Sequence, residues 1–201
     1  GQLSAMNVIG IARQACRGLD YAHGQGIVHR DIKPANLFPT TDRIIKIMDF
    51  GLAKVLEEVR GATTLVLGTP TYMSPEQAMG ETNLDQRADI YSVGALAYEL
   101  FTGHPPFEKP TPQQLLAAHV LEKPEPPTTR RPELSPALSG LVMRCLEKEK
   151  EQRWQTAEEM LEPLELAGTP SGGITPTFTR PLPATTKPQP AKRWLGIGVA
   201  A

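Results

Sequence analysis

Residues 85–101, DQRADIYSVGALAYELF, narrow most sharply what this chain can fold into. Between Asp89 and Glu99 there is no charge, and apolar groups recur around the whole helical circumference rather than along one stripe. A helix of that kind is stable only when other elements cover it on every side. It must run through the middle of a domain. Gly103 and Pro105-Pro106 stop it.

The remaining segments supply the cover. Leu3, Met6, Ile9, Ala12, Cys16 and Leu19 recur at three- and four-residue steps, which predicts a helix with one buried face ending near Gly24 and Gly26. Ile27-Val28, Leu37-Phe38 and residues 44–48 are apolar pieces bounded by turn residues and read as short strands. From Asp49 to Glu76 periodicity fades and Gly51, Gly61, Gly68 and Pro70 punctuate the chain, as in a long functional loop. Further helices start at Thr111-Pro112, at Ser135-Pro136 and at the capping box Thr156-Ala157-Glu158-Glu159, and Pro163 is expected to end or kink the last of them. The fold class is therefore mainly α with a few short β strands.

Past Leu166 the character changes. Residues 168–191 are rich in Pro, Thr and Gly, and Glu165 is the last acidic residue. Such a segment buries too little apolar surface to offset its ordering entropy and reads as a disordered, purely basic linker extending to residue 193. Lys192-Arg193 and Trp194 then precede an apolar run. It is either a frayed end or, the favoured reading, the truncated start of a membrane helix, since a span needs about 20 residues. The first residue is Gly and no signal peptide is visible, so the chain is read as starting inside a longer gene product.

A net charge of −1 gives no support to nucleic-acid binding. Cys16 and Cys145 form no CxxC and, with His23, His29, His104 and His119, give no zinc spacing; the thiols read as reduced core cysteines of a cytosolic domain. His23, His104 and His119 read as surface or structural groups, and Trp154 as core.

The chemistry concentrates in IVHRDIKPANL, residues 27–37. Phosphoryl transfer requires a carboxylate to orient the attacking hydroxyl, a cation on the moving phosphate and oxygen ligands for Mg²⁺. Asp31, Lys33 and Asn36 lie within six residues, and Asp49-Phe50-Gly51 follows a predicted strand. An Asp and an Asn oxygen suit Mg²⁺ better than zinc.

With His29-Arg30-Asp31, Lys33, Asn36, Asp49-Phe50-Gly51 and Ser74-Pro75-Glu76 in this order, residues 1–167 resemble the C-terminal, helical lobe of eukaryotic-type (Hanks-type) serine/threonine protein kinases, in particular the bacterial branch. Lys33 and GTPTYMSPEQ resemble the serine/threonine rather than the tyrosine kinases. The resemblance implies that Asp31 is the base or hydroxyl-orienting residue and that Lys33 steadies the γ-phosphate of ATP. It implies that Asn36 and Asp49 bind Mg²⁺, and that Thr69 bonds Asp31 and Lys33. Glu76 would pair with Arg153, Asp89 would hold the His29-Arg30 backbone, and His29 and Phe50 would stack in a hydrophobic spine. Arg30 would receive a phosphate on the activation loop, for which Thr63 and Thr64 are the candidate autophosphorylation sites.

Ser74 stands where the family usually has Ala. These 201 residues hold no glycine-rich loop over the phosphates, no strand Lys and no helix Glu to pair with it, so the N-terminal lobe is missing from them. The resemblance thus implies a signalling kinase acting on protein Ser/Thr with ATP and Mg²⁺, present as a fragment inactive by itself. It also implies a cytoplasmic kinase domain, membrane anchoring through the C-terminal end of a single-pass protein, and room for a kinase dimer in the parent. The alternative is a catalytically inactive lobe or pseudokinase used as a binding or scaffold module.

Overall fold

A computed structural model of the chain describes residues 3–50 and 70–168. Helix α1, Ala5–Gly24, begins where Ser4 Oγ accepts the N–H of Asn7. Its buried face is Val8, Ile9, Ala12, Ala15, Cys16, Leu19 and Ala22, the three- and four-residue rhythm of an amphipathic helix. Gly26, at φ 73°, turns the chain out of it.

Ile27-Val28 is not a strand. The N–H of Ile27 returns to the carbonyl of Ala22. The N–H groups of residues 29–31 go to side chains, His29 and Arg30 to the Asp89 carboxylate and Asp31 to the His29 ring. Extended backbone whose donors are taken by side chains has no ladder to join. Strands β1, Leu37–Pro39, and β2, Ile45–Ile47, pair antiparallel with Leu37 opposite Ile47 and Pro39 opposite Ile45. Gln14 clips this hairpin to α1, since its Oε1 accepts the N–H of Ile45 at 2.8 Å and its Nε2 donates to the carbonyl of Arg43.

After residues 51–69 comes α2, Pro75–Ala78. The central helix α3, Gln86–Thr102, is capped by Asp85, whose carboxylate accepts the N–H of Arg87, and closed by Gly103 at φ 79°. Residues 88–98 of α3 are buried without exception, so the domain is built around it. A side chain at Gly94 would set its Cβ 2.3 Å from the Cβ of Cys145.

Helices α4, Pro112–Leu121, and α6, Pro136–Cys145, start at Thr111 and Ser135, whose hydroxyls accept from Gln114 and Leu138. A short α5, Pro127–Arg130, stands between them. The last helix, α7, spans Leu161–Gly168 behind a 3-10 turn at Glu158–Met160. Pro163 neither ends nor kinks it. It lies in the first turn of α7, where a backbone N–H has no intrahelical acceptor to lose. The Thr156 capping box is half built: Thr156 Oγ accepts from Glu159, but the Glu159 carboxylate takes the N–H of Gln155 instead of the cap's own.

The core gathers Leu19, Ile90, Tyr98, Phe101, Leu141 and Met160 from α1, α3, α6 and the turn before α7. Cys16 and Cys145 are buried free thiols, and burial pushes the Cys16 thiol up to about 12. Trp154 packs half-buried against the core, donates to the carbonyl of Leu141 and lies under the Arg144 guanidinium at 3.8 Å. No helix among the described residues is long and apolar enough to cross a membrane. The linker beyond Gly168 and residues 194–201 lie outside the described residues, as do Gly51, Thr63, Thr64 and Thr69.

Candidate functional site

Residues 29–36 leave α1 and reach the hairpin, and three of their polar side chains meet. Lys33 Nζ lies 2.7 Å from Asp31 Oδ2. Asn36 Nδ2 donates to the carbonyl of Asp31 at 2.7 Å and to Oδ2 at 3.1 Å. The Asp31 and Lys33 side chains are 47% and 40% exposed, so their pairing adds at most about 1 kcal/mol to stability. Among the described residues no hydrogen bond uses Asp31 Oδ1, which leaves an acceptor for a hydroxyl.

The backbone under Asp31 is held with unusual completeness. Arg30 adopts φ 69°, a left-handed conformation costing a non-glycine residue roughly 1–2 kcal/mol. Asp89, fully buried on α3, accepts the N–H of His29 on Oδ2 at 2.8 Å and that of Arg30 on Oδ1 at 2.7 Å. His23 Nε2 lies 2.8 Å from the same Oδ2. Gln77 Nε2 donates to the carbonyl of Arg30 at 2.7 Å.

His29 carries this anchoring across to β2. Its Nδ1 accepts the N–H of Asp31 at 3.2 Å, which assigns the ring proton to Nε2, the donor to the carbonyl of Met48 at 2.8 Å. Phe50 meets the imidazole edge-on with centroids 4.7 Å apart. Met48 in turn donates its N–H to the carbonyl of Asn36 at 2.8 Å, so Asp49 leaves the hairpin one residue past a direct tie to Asn36. Asp49 is exposed and, like Arg30, left-handed, at φ 62°.

These residues fit a hard divalent cation. The amide nitrogen of Asn36 is committed to Asp31, so its oxygen is the atom left for a metal, and no hydrogen bond among the described residues uses the Asp49 carboxylate. One neutral and one anionic oxygen, with room for water, match Mg²⁺.

Glu76 and Arg153 stand apart from this exposed cluster. The carboxylate and guanidinium form a buried bidentate pair, 2.7 and 2.8 Å long, joining α2 to the segment after α6. Burial by itself would raise the Glu76 carboxyl, but Arg153 holds it below its ordinary value. Of the remaining histidines, His104 is exposed beside Glu108, whereas His119 is buried against Tyr91.

Two contacts go beyond what the sequence indicates: the bond of Gln77 to Arg30, and that of His23, expected only as a surface or structural group, to Asp89. Gln77 had a signal, since Ser74-Pro75-Glu76-Gln77 is an S-x-x-Q capping pattern. His23 had none, because its partner Asp89 is 66 residues away.

Residues 1–164 match the family model for the protein kinase domain. The serine/threonine-protein kinase PknB of Mycolicibacterium smegmatis is 42% identical over 163 residues, 80% of this chain and 26% of that protein. The PknB of Mycobacterium tuberculosis strain H37Rv is 40% identical over 163 residues, with the same shares. The probable serine/threonine-protein kinase SCO3848 of Streptomyces coelicolor is 43% identical over 161 residues, 78% of this chain and 24% of that protein. The match thus spans about a quarter of the length of these curated relatives.

Proposed function

The chain belongs to the protein kinase family, and from that premise we propose that its parent protein transfers the γ-phosphoryl group of ATP to serine and threonine hydroxyls of proteins. The observation that carries this reading is the convergence of Asp31, Lys33 and Asn36 on a strained backbone that Asp89 holds in place.

The geometry supports a division of labour. Asp31 orients the attacking hydroxyl and accepts its proton through the carboxylate oxygen that Lys33 and Asn36 leave unengaged. Lys33, already drawn to Asp31, brings its ammonium to the side where charge develops on the transferred group. Asn36 and Asp49 would hold Mg²⁺, which when bound neutralises phosphate charge. His29, Asp89 and Gln77 touch no substrate in this scheme; they set the aim of Asp31.

The domain would work on the cytoplasmic face of a membrane, a placement supported by Lys192-Arg193 and Trp194 ahead of an apolar run. Residues 1–201 alone would leave the reaction without a glycine-rich loop or a second phosphate lysine, so they are expected to transfer negligible phosphate.

The direct test is transfer of label from γ-labelled ATP, with Mg²⁺, to a protein substrate by the full-length parent. Transfer that Asp31→Asn reduces by at least about a hundredfold supports the reading. Transfer unaffected by that substitution, or no transfer by the intact parent, would overturn it.

A further inference from the structure

The Gln77 side chain is used at both ends. Its Oε1 accepts the N–H of Ser74 at 3.1 Å, while Ser74 Oγ accepts the N–H of Gln77 at 3.4 Å, a reciprocal cap on α2. Its Nε2 donates to the carbonyl of Arg30 at 2.7 Å, 47 residues away in sequence. The two partners fix the amide's orientation, because a backbone N–H requires the oxygen and a carbonyl requires the nitrogen.

The bond to Arg30 falls on a critical peptide. The Arg30–Asp31 unit has its carbonyl on Gln77 and its N–H on His29 Nδ1. The preceding unit gives its N–H to Asp89. Arg30 sits at φ 69° between them, and a strained conformation persists only where its surroundings over-determine it. Removing the Gln77 donor leaves the carbonyl side of the Arg30–Asp31 peptide without this anchor, and rotation of that peptide swings the Asp31 carboxylate directly.

Building on the kinase reading above, we propose that Gln77 is a positioning residue. It couples the seating of the Ser74-Pro75-Glu76 helix to the aim of Asp31. The same amide that caps α2 holds the Arg30 carbonyl, so displacing the helix withdraws a support from the base. Glu76, its immediate neighbour, is pinned by Arg153, which makes α2 a firm platform from which to hold that carbonyl.

Two substitutions separate the halves of the amide. Gln77→Glu keeps an acceptor for Ser74, as capping boxes commonly use Glu, but sets an anion against the Arg30 carbonyl. Gln77→Lys keeps a donor for Arg30 but cannot accept from Ser74. In the full-length parent with Mg²⁺ and ATP, Gln77→Glu should lower kcat at least about tenfold, with the KM for ATP little changed. Gln77→Lys should be the more active and the less heat-stable of the two. Wild-type kcat in Gln77→Glu, or activities that rank in the order of melting temperature, would overturn the proposal. A readout free of turnover is amide hydrogen exchange at Asp31 in the 201-residue chain. Exchange should be about tenfold faster in Gln77→Glu than in wild type. An inactive wild-type parent with this exchange difference intact would count against the kinase reading and for the role of Gln77; equal exchange rates would count against Gln77 itself.

Discussion

Arg153 meets Glu76 with both terminal nitrogens, 2.7 and 2.8 Å from the two carboxylate oxygens, in a site where the arginine side chain has no exposed surface. Its remaining donors go to the carbonyls of Arg87, Glu147 and Lys148. Every N–H of the guanidinium is therefore engaged, and one side chain gathers α2, α3 and the segment after α6.

Arg153→Lys should consequently behave as a severe substitution. An ammonium has three donors without the planar fork, so it cannot serve the carboxylate and three carbonyls together. Each buried carbonyl left without its donor costs about 1–3 kcal/mol, so a loss of a few kcal/mol is expected. The pH dependence follows from Glu76, whose carboxyl is held below its ordinary 4.5. The contribution is fully present above that value and is lost as pH falls through the lower, folded-state value. Urea unfolding of Arg153→Lys within 1 kcal/mol of wild type would show that the pair is dispensable.

His119 should impose a second, distinct pH slope. Its ring is buried, with Nδ1 2.9 Å from the Tyr91 hydroxyl and the Phe107 ring 5.1 Å away, while Lys148 Nζ lies 2.7 Å from its carbonyl. Burial first, then the Lys148 charge, push the imidazole down to about 4 from 6.5, against the carbonyls of Pro70 and Thr71. The unfolded chain then binds a proton that the folded chain refuses. The stabilisation is complete above pH 6.5 and fades as pH falls toward 4, by roughly 3 kcal/mol. His119→Gln should flatten the stability profile between those pH values, and a slope equal to wild type would assign it to other groups.

Gly94 is where α3 and α6 approach too closely for a side chain. A Cβ there would stand 2.3 Å from the Cβ of Cys145, a contact that only backbone movement relieves. Gly94→Ala should destabilise the domain by about 1–3 kcal/mol despite alanine's better helix propensity. Combining it with Cys145→Ala should bring little relief, because the clashing atom is retained; Cys145→Gly should recover part of the loss. Thermal unfolding of the three variants against wild type measures this, and a neutral Gly94→Ala would mean that the helices shift apart freely.

How far the sequence disclosed this structure depends on where each residue's partner lies. Helix α3 was legible because its apolar positions, the Asp85 cap and the Gly103 stop are all local. The cluster of Asp31, Lys33 and Asn36 was legible because its members share one loop. Ile27-Val28 was misread as a strand because the nearby donors go to Asp89, a residue 60 positions away, and composition cannot report that. Pro163 was misread because its effect depends on where the helix begins, and a 3-10 turn moves that start to Leu161. The capping half of Gln77 was written in S-x-x-Q, but its bond to Arg30 exists only in three dimensions.

Asp89 offers the most demanding test of the backbone clamp. Its carboxylate, without exposed surface, takes the N–H groups of His29 and Arg30 and lies 2.8 Å from His23 Nε2. An amide presents one acceptor oxygen and an NH₂ group, so Asp89→Asn must set donor against donor on at least one side. A buried donor left without an acceptor costs about 1–3 kcal/mol, and the chain should lose that much stability in urea unfolding. Because the two backbone donors flank the left-handed Arg30, the larger consequence should appear in turnover. The full-length parent carrying Asp89→Asn should lose at least about tenfold in kcat, with the KM for ATP nearly unchanged. His23→Gln retains a donor toward Oδ2 and should lose far less. Equal losses in the two variants, or a wild-type kcat in Asp89→Asn, would mean that the backbone beneath Asp31 keeps its conformation without the carboxylate.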